Sequence, residues 1–412
     1  MRPRCPPEMR RRVVVTGVGV LSALGANARE FWEALSAGRS GIGPITAVDT
    51  SGMRMKNGAE VRGFDPVPFF GEKEADFLDR FAQFGAVAAR EALMDSGLEL
   101  DDGLKARCAV VTGSCVGGQT TEDAQFQTVY LHGRKRVAPL TIPKIMANAG
   151  TSRISLETGI TGPSWTVSTA CSSANHAIGQ AFWMVRDGLV EAAITGGCEA
   201  PFSYGNLMAW EAIRVVSPDT CRPFARDRRG MILGEGAAML VIETLEAAQA
   251  RGAHIYAEIA GFGMSSDAHH LTQPSVDGPA QAMAMALEDA GIALQEIGYI
   301  NAHGTGTVAN DPTEAAAIRR VFGAHTDRIA VSSTKSMHGH TLGAAGAIEG
   351  VATVLALERG LMPPTANFTE PDPDCQLDVI SNEARPGYPA AALSNSFAFG
   401  GLNAVLAFRR WN

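Results

Sequence analysis

No CxxC pair and no Cys/His set at metal-ligand spacing occurs in this chain, although it carries seven cysteines. An odd, scattered set of thiols argues against a disulfide framework or a zinc site and fits a reducing cytoplasm. Basic charge is also short. Lys and Arg number 35 against 43 Asp and Glu, a net charge of −8, so no face-wide basic surface is available to neutralise phosphates, and nucleic-acid binding is not expected. Nowhere do about 18 uncharged apolar residues follow one another, which makes a membrane span improbable. Gly17-x-Gly19 and Gly261-x-Gly263 each hold only part of a dinucleotide fingerprint, without the full glycine set and the downstream acid, so NAD is not expected. His269 and His270 have too few ligands near them for a metal and read as loop histidines.

What is present is a soluble globular composition, 46% hydrophobic and 19% charged, on a chain long enough for a large core. Five arginines in residues 2–12 precede an apolar stretch from Val13, superficially the layout of a signal peptide. The β-branched Val13-Val14-Val15-Thr16, broken by Gly17 and Gly19, instead reads as a first buried strand ending in a tight turn, with residues 1–11 a flexible tail. Strand-like and helix-like runs then alternate. Strands are expected at 108–113, 165–169, 192–195 and 237–242, and again at 254–263, 297–301, 328–332, 392–395 and 403–409. Helices are expected at 28–37, 74–96, 120–131, 142–158, 174–186, 203–213, 279–290, 312–322 and 342–359. Such alternation predicts layered α/β architecture. The recurrence of a strand, a turn and a helix in 12–252 and in 253–412 suggests an internal duplication.

Three turns carry chemistry. Cys171 sits between a strand-like run, Trp165 to Thr169, and a helix-like run from Ala174, among the small residues Ala170, Ser172, Ser173 and Ala174. A helix N-terminus beneath it favours the thiolate, and the small neighbours leave room for a substrate. His303 lies in Ala302-His303-Gly304-Thr305-Gly306-Thr307, where two glycines allow close approach and the hydroxyls of Thr305 and Thr307 can donate. His340 closes Lys335-Ser336-Met337-His338-Gly339-His340. Lys335 follows a buried strand and needs a counter-ion, for which Glu349 in the next helix is the natural candidate. His338 reads as structural or surface, and Asp311 as a helix-capping residue. The densest basic cluster in the body of the chain is Arg134-Lys135-Arg136.

Thr-Ala-Cys around Cys171, Ala-His-Gly-Thr-Gly-Thr, Lys-Ser-Met-His-Gly-His and the terminal Asn395-Ser396-Phe397-Ala398-Phe399-Gly400-Gly401-Leu402-Asn403 resemble the β-ketoacyl-[acyl-carrier-protein] synthases of Cys-His-His type, from about Arg12 to Arg410. The resemblance implies a thiolase-type fold of two duplicated α/β halves, Cys171 in the first (12–252) and His303, Lys335 and His340 in the second (253–412), with the active site at their junction. It implies an acyltransferase that condenses an acyl chain on Cys171 with malonyl-[acyl-carrier-protein], in fatty acid or polyketide synthesis, without a metal or redox cofactor. It assigns the oxyanion hole to the N–H groups of Cys171 and Phe399, the phosphopantetheine arm to Thr305 and Thr307, and a site-organising pair to Lys335 and Glu349. Val116 matches a segment at the far end of the acyl pocket, closed by a second subunit in a homodimer or in a heterodimer with a chain-length-factor partner. Arg214 joins Lys135 and Arg136 as an expected carrier-protein contact. Thiolases and synthase III enzymes share the fold but resemble Cys-His-Cys and Cys-His-Asn sets, and a chain-length factor lacks the nucleophile that Cys171 supplies. Asp219 to Phe224 and Pro363 to Pro373 look closer to nodulation-type and polyketide enzymes than to the housekeeping synthase, and Leu402 departs from the family's usual threonine.

Overall fold

The computed structural model describes residues 10–411. Ten strands build the frame: β1 (Val13–Ser22), β2 (Cys108–Gly113), β3 (Ser164–Val167), β4 (Ala192–Glu199), β5 (Gly236–Thr244), β6 (Ala257–Ser266), β7 (Ile297–Asn301), β8 (Ala330–Ser332), β9 (Ala391–Ala398) and β10 (Leu402–Arg410). Their order is β3-β2-β4-β5-β1 followed by β6-β10-β9-β7-β8, with the short strand Asp378–Val379 added at the far edge. Counted from its own first strand, each half has the order 3-2-4-5-1. Pairing repeats as well: β2 lies parallel to β3 and β4, β7 parallel to β8 and β9, and the other neighbours among the ten are antiparallel, while the edge strand Asp378–Val379 runs parallel to β8. The halves meet where β1 and β6 pair antiparallel, Val13 opposite Ile259 and Val15 opposite Ala257.

Helices α1 (Arg80–Ser96), α2 (Ser173–Arg186), α3 (Asp277–Ala290), α4 (Asn310–Phe322) and α5 (Ala345–Arg359) supply the layers. α1 covers the outer face of the first half and α3 that of the second, whereas α2 and α5 touch strands of both halves and lie between them. A strand buried on both faces needs apolar residues throughout rather than alternation, and β1 is buried at all ten positions. The two Gly-x-Gly pairs turn out to be packing devices. A Cβ on Gly17 or Gly19 would fall 2.1 or 2.0 Å from the carbonyl oxygens of Ala92 and Ala88 in α1. One on Gly261 or Gly263 would fall 2.5 or 2.1 Å from those of Ala286 and Ala282 in α3. Only glycine lets strand and helix approach so closely.

Several expected elements shift. The helix expected over 74–96 is cut, because Asp79 leaves the helical region and caps α1 through Phe81 N–H at 3.2 Å. The run 142–158 divides into Thr141–Ile145 and Ala149–Thr158. Of the tail expected over 1–11, residues 1–9 lie outside the described residues. Arg10 and Arg11 are fastened, Arg10 facing Asp289 at 3.6 Å and Arg11 facing Glu191 at 3.0 Å.

Candidate active site

The chain turns sharply after β3, and the bend falls on Ala170, with φ of +50°, one residue before Cys171. Ser172 N–H and Ser173 N–H bond back to the carbonyls of Thr169 and Ala170, at 3.3 and 3.1 Å, and launch α2. Cys171 therefore sits on the apex of a tight turn, nearly buried. Asn175, one turn into α2, donates to the carbonyls of Ser394 and Ala404 at 3.1 and 3.3 Å, which clamps this helix onto the strands of the other half.

The thiolate expected from the helix N-terminus is corrected by the burial. Desolvation pushes the Cys171 thiol up to about 11, against the opposing pull of Lys335 and of the N–H groups of Phe399 and Cys171 itself. That shift opposes the thiolate, although donors are already placed around the sulfur.

His303 follows β7. Its N–H and that of Gly304 both donate to the buried carboxylate of Glu314 on α4, each at 2.8 Å. Gly306 N–H donates to Asp311 at 3.1 Å, and Phe224 N–H to the other oxygen of Asp311 at 2.8 Å. Asp311 is thus a brace for the histidine turn, which corrects the capping assignment. Burial pushes its pKa up to about 6. Glu314, which the sequence reading passed over, is the second brace, and Asn395 holds it at 3.1 Å.

Lys335 is completely buried and spends its three donors on His303 Nδ1 at 3.2 Å, the His303 carbonyl at 2.7 Å and Glu349. Glu349 is equally buried, and desolvation pushes its pKa up to about 7 despite the ammonium beside it. An ammonium can only donate, so His303 Nδ1 is the acceptor and its proton belongs on Nε2. His340 reaches the same tautomer differently, since its Nδ1 accepts the N–H of Leu342 at 3.1 Å. Burial, then the field of Lys335, hold both imidazoles well below the ordinary histidine pKa. Two neutral rings, nearly perpendicular with centroids 5.4 Å apart, therefore present Nε2–H donors to the cleft that they line together with Cys171. His338 is fully buried and structural, bonded to Thr334 at 2.9 Å and to the Gly339 carbonyl at 2.8 Å; the surface alternative falls away.

The same cleft is lined by Thr305, Thr307, Phe399 and Arg214. The two threonine hydroxyls bond each other at 2.9 Å. Phe399 stacks on Trp210 at 6.2 Å between centroids. Val116 does not line this cleft; its N–H donates to Glu199 at 3.3 Å. Lys135 and Arg136 stand exposed on a loop away from the cleft lining, and Arg214 stands at its mouth. His270 is an exposed loop histidine as expected, yet it also lines the mouth. Glu199 escaped the sequence reading. Closing β4, it accepts from Ser114 Oγ and from the N–H groups of Cys115, Val116 and Gly343, at 3.1, 2.6, 3.3 and 3.0 Å, and burial lifts its pKa to about 7. A charged residue ending an otherwise uncharged strand, in Gly196-Gly197-Cys198-Glu199, was the available signal. Among the described residues no group of three or more His, Cys, Asp or Glu could hold a metal ion, and no helix is long and apolar enough to cross a membrane.

A duplicated α/β fold with a cysteine on one strand-to-helix turn and two histidines from the opposite half is that of the thiolase-type enzymes. Residues 10–248 match the β-ketoacyl synthase N-terminal domain and residues 256–369 its C-terminal domain. The chain belongs to the β-ketoacyl synthase family. It is 48% identical to nodulation protein E of a Rhizobium species over 402 residues, 98% of this chain and 100% of the relative. It is 42% identical to 3-oxoacyl-[acyl-carrier-protein] synthase 2 of a Synechocystis species, covering 98% and 99% of the two chains. Among solved structures it superposes on the ishigamide ketosynthase/chain length factor with a TM-score of 0.93 and 40% identity, covering 98% of this chain and 100% of the other.

Proposed function

We propose that the protein performs decarboxylative Claisen condensation, joining an acyl chain on Cys171 to malonyl-[acyl-carrier-protein] to give a β-ketoacyl-[acyl-carrier-protein], in fatty acid or type II polyketide synthesis. The observation that carries it is the pair of neutral Nε2–H imidazoles lining one cleft with a buried cysteine. Cys171 Sγ attacks the acyl thioester, its proton leaves with the departing pantetheine thiol, and the N–H groups of Cys171 and Phe399 hold the oxyanion. Malonyl thioester then enters. As its carboxylate departs as CO2, the enolate oxygen is held by His303 and His340, and the carbanion attacks the acyl-cysteine carbonyl and frees the sulfur. Lys335 and Glu349 keep His303 in its donor tautomer, Thr305 and Thr307 hold the pantetheine arm, and the chemistry needs no metal or redox cofactor.

The partners proposed with this reading are an acyl carrier protein, met by Arg214 with Lys135 and Arg136, and a second ketosynthase-like subunit, identical or a chain-length factor, closing the far pocket near Val116. A cytoplasmic setting, where a thiol nucleophile stays reduced, fits it. Intact-mass measurement after incubation with acyl-[acyl-carrier-protein] should find the acyl group on the protein. Cys171→Ala should abolish both that adduct and condensation, by ~10³-fold or more. An acyl adduct of undiminished yield on the alanine variant would overturn the assignment.

A further inference from the structure

At the mouth of the Cys171 cleft, away from the buried catalytic groups, stand two exposed arginines, Arg214 and Arg229. Backbone pairing brings their segments side by side. Val216 bridges Met231, Met231 N–H donates to the Val215 carbonyl at 2.9 Å, and Gly230 N–H donates to the Gly306 carbonyl at 2.9 Å. The last bond sets Arg229 against the Thr305–Thr307 turn.

Their neighbours show what arginines of this chain do when a carboxylate is within reach. Arg228 is buried and committed, Nη1 to Asp372 and Nε to the Thr307 carbonyl at 3.1 Å, and Arg222 pairs with Asp219 at 2.8 Å. Arg214 and Arg229 have no carboxylate partner among the described residues. The acid that shares the mouth, Asp267, is already engaged by Asn403 Nδ2 at 2.7 Å and Ser275 N–H at 2.9 Å. Arg214 also holds a left-handed backbone, φ +61°, at the end of helix Tyr204–Ile213, where a glycine would be the unstrained choice. Strain retained at an exposed cation points to use of that cation.

We propose that Arg214 and Arg229 form an anion clamp for the phosphodiester at the outer end of the phosphopantetheine arm, with Arg229 as a specificity-determining residue. The inference rests on the ketosynthase reading above. The arm carries its thioester at one end and its phosphate at the other, so a thioester at Cys171 and pantetheine amides along Thr305 and Thr307 leave the phosphate at the rim. Paired guanidiniums suit a phosphate because each presents a planar fork of donors. The phosphate is common to carrier-bound and coenzyme A thioesters, and the test separates these sources.

With the full-length protein, kcat/KM for Cys171 acylation is compared on acyl-[acyl-carrier-protein], acyl-coenzyme A, acyl-phosphopantetheine and acyl-pantetheine, for wild type, Arg229→Gln and Arg229→Lys. The clamp predicts that Arg229→Gln lowers the ratio of phosphopantetheine to pantetheine rates about 10-fold, carried by KM, with partial rescue by lysine and loss of the difference at high salt. The same loss on the carrier-bound and coenzyme A substrates places the contact on the arm. A loss confined to the carrier protein would overturn the clamp in favour of a contact with the carrier's surface, and an unchanged ratio would overturn it outright. Absence of acylation in the wild type would instead refute the ketosynthase reading, leaving the two failures distinct.

Discussion

The two halves share strand order, the parallel and antiparallel pattern, the glycine-mediated contact between first strand and outer helix, and the central helix after the third strand, yet their turns carry different groups. After the second strand the first half has Ser114 and Cys115 around the Glu199 carboxylate, and the second half has His303 braced by Glu314 and Asp311. After the third strand the first half turns through Ala170 to Cys171. The second half needs a longer passage, Ser333 to Ala344, which drops Lys335 into the core and returns at His340. The fourth strand ends on Glu199 in one half and leads into Phe399 in the other. The frame is interchangeable and the turns are not, because strand ends are where backbone N–H groups and small residues can meet a ligand without disturbing the core.

The strongest challenge to this division of labour is to remove the donors of the second half. His303→Ala and His340→Ala should each slow CO2 release from malonyl-[acyl-carrier-protein] by ~10²-fold while leaving acylation of Cys171 within a few-fold of wild type. Radiometric CO2 release and intact mass measure the two steps separately. Unimpaired decarboxylation in both variants would mean that the halves do not split the reaction in this way.

The shared frame can be tested next by paired substitution. Gly19→Ala and Gly263→Ala place the same methyl 2.0 and 2.1 Å from a helix carbonyl in each half. Each should cost about 1–3 kcal/mol in urea unfolding. Similar losses sharpen the equivalence; a loss at one site alone breaks it.

The smallest effect concerns Glu199, the first half's own contribution beneath the site. Its folded pKa, about 7, exceeds the ordinary carboxyl value of 4.5 because burial penalises the charge. The folded state therefore binds the extra proton, and this contribution to stability is complete below about pH 4.5 and lost as pH rises through 7. Glu199→Gln should make the decline in unfolding free energy between pH 5 and 8 shallower by about 2 kcal/mol. An unaltered slope would place the titration elsewhere, with Glu349 the next buried carboxyl to test.

Much of this was legible in the chain. The ten strands fall close to their expected places, because β-branched runs bounded by glycine and proline have few alternatives. Cys171, His303 and His340 were picked out by the small or polar residues around them, which make poor cores, and Lys335 with Glu349 by a buried ammonium's need for a counter-ion. The failures share one cause. Asp311 was read as a cap because its local spacing permits one, and Glu199 and Glu314 were passed over because a lone carboxylate in sequence does not show which N–H groups converge on it. Cys171 was expected as a thiolate from the helix behind it, a local feature, whereas the desolvation that raises its pKa depends on what the whole fold packs around it.

The sequence by itself determined the element order and which turns hold the candidate site residues, since those follow from periodicity, propensity and turn chemistry within a few residues. Only the tertiary structure decided the tautomers of His303 and His340, the partners of each buried charge, and the place of Arg229 on the cleft's rim. Those depend on distances between residues far apart in the chain, and the energy of a charge or a hydrogen bond is set by what surrounds it in space.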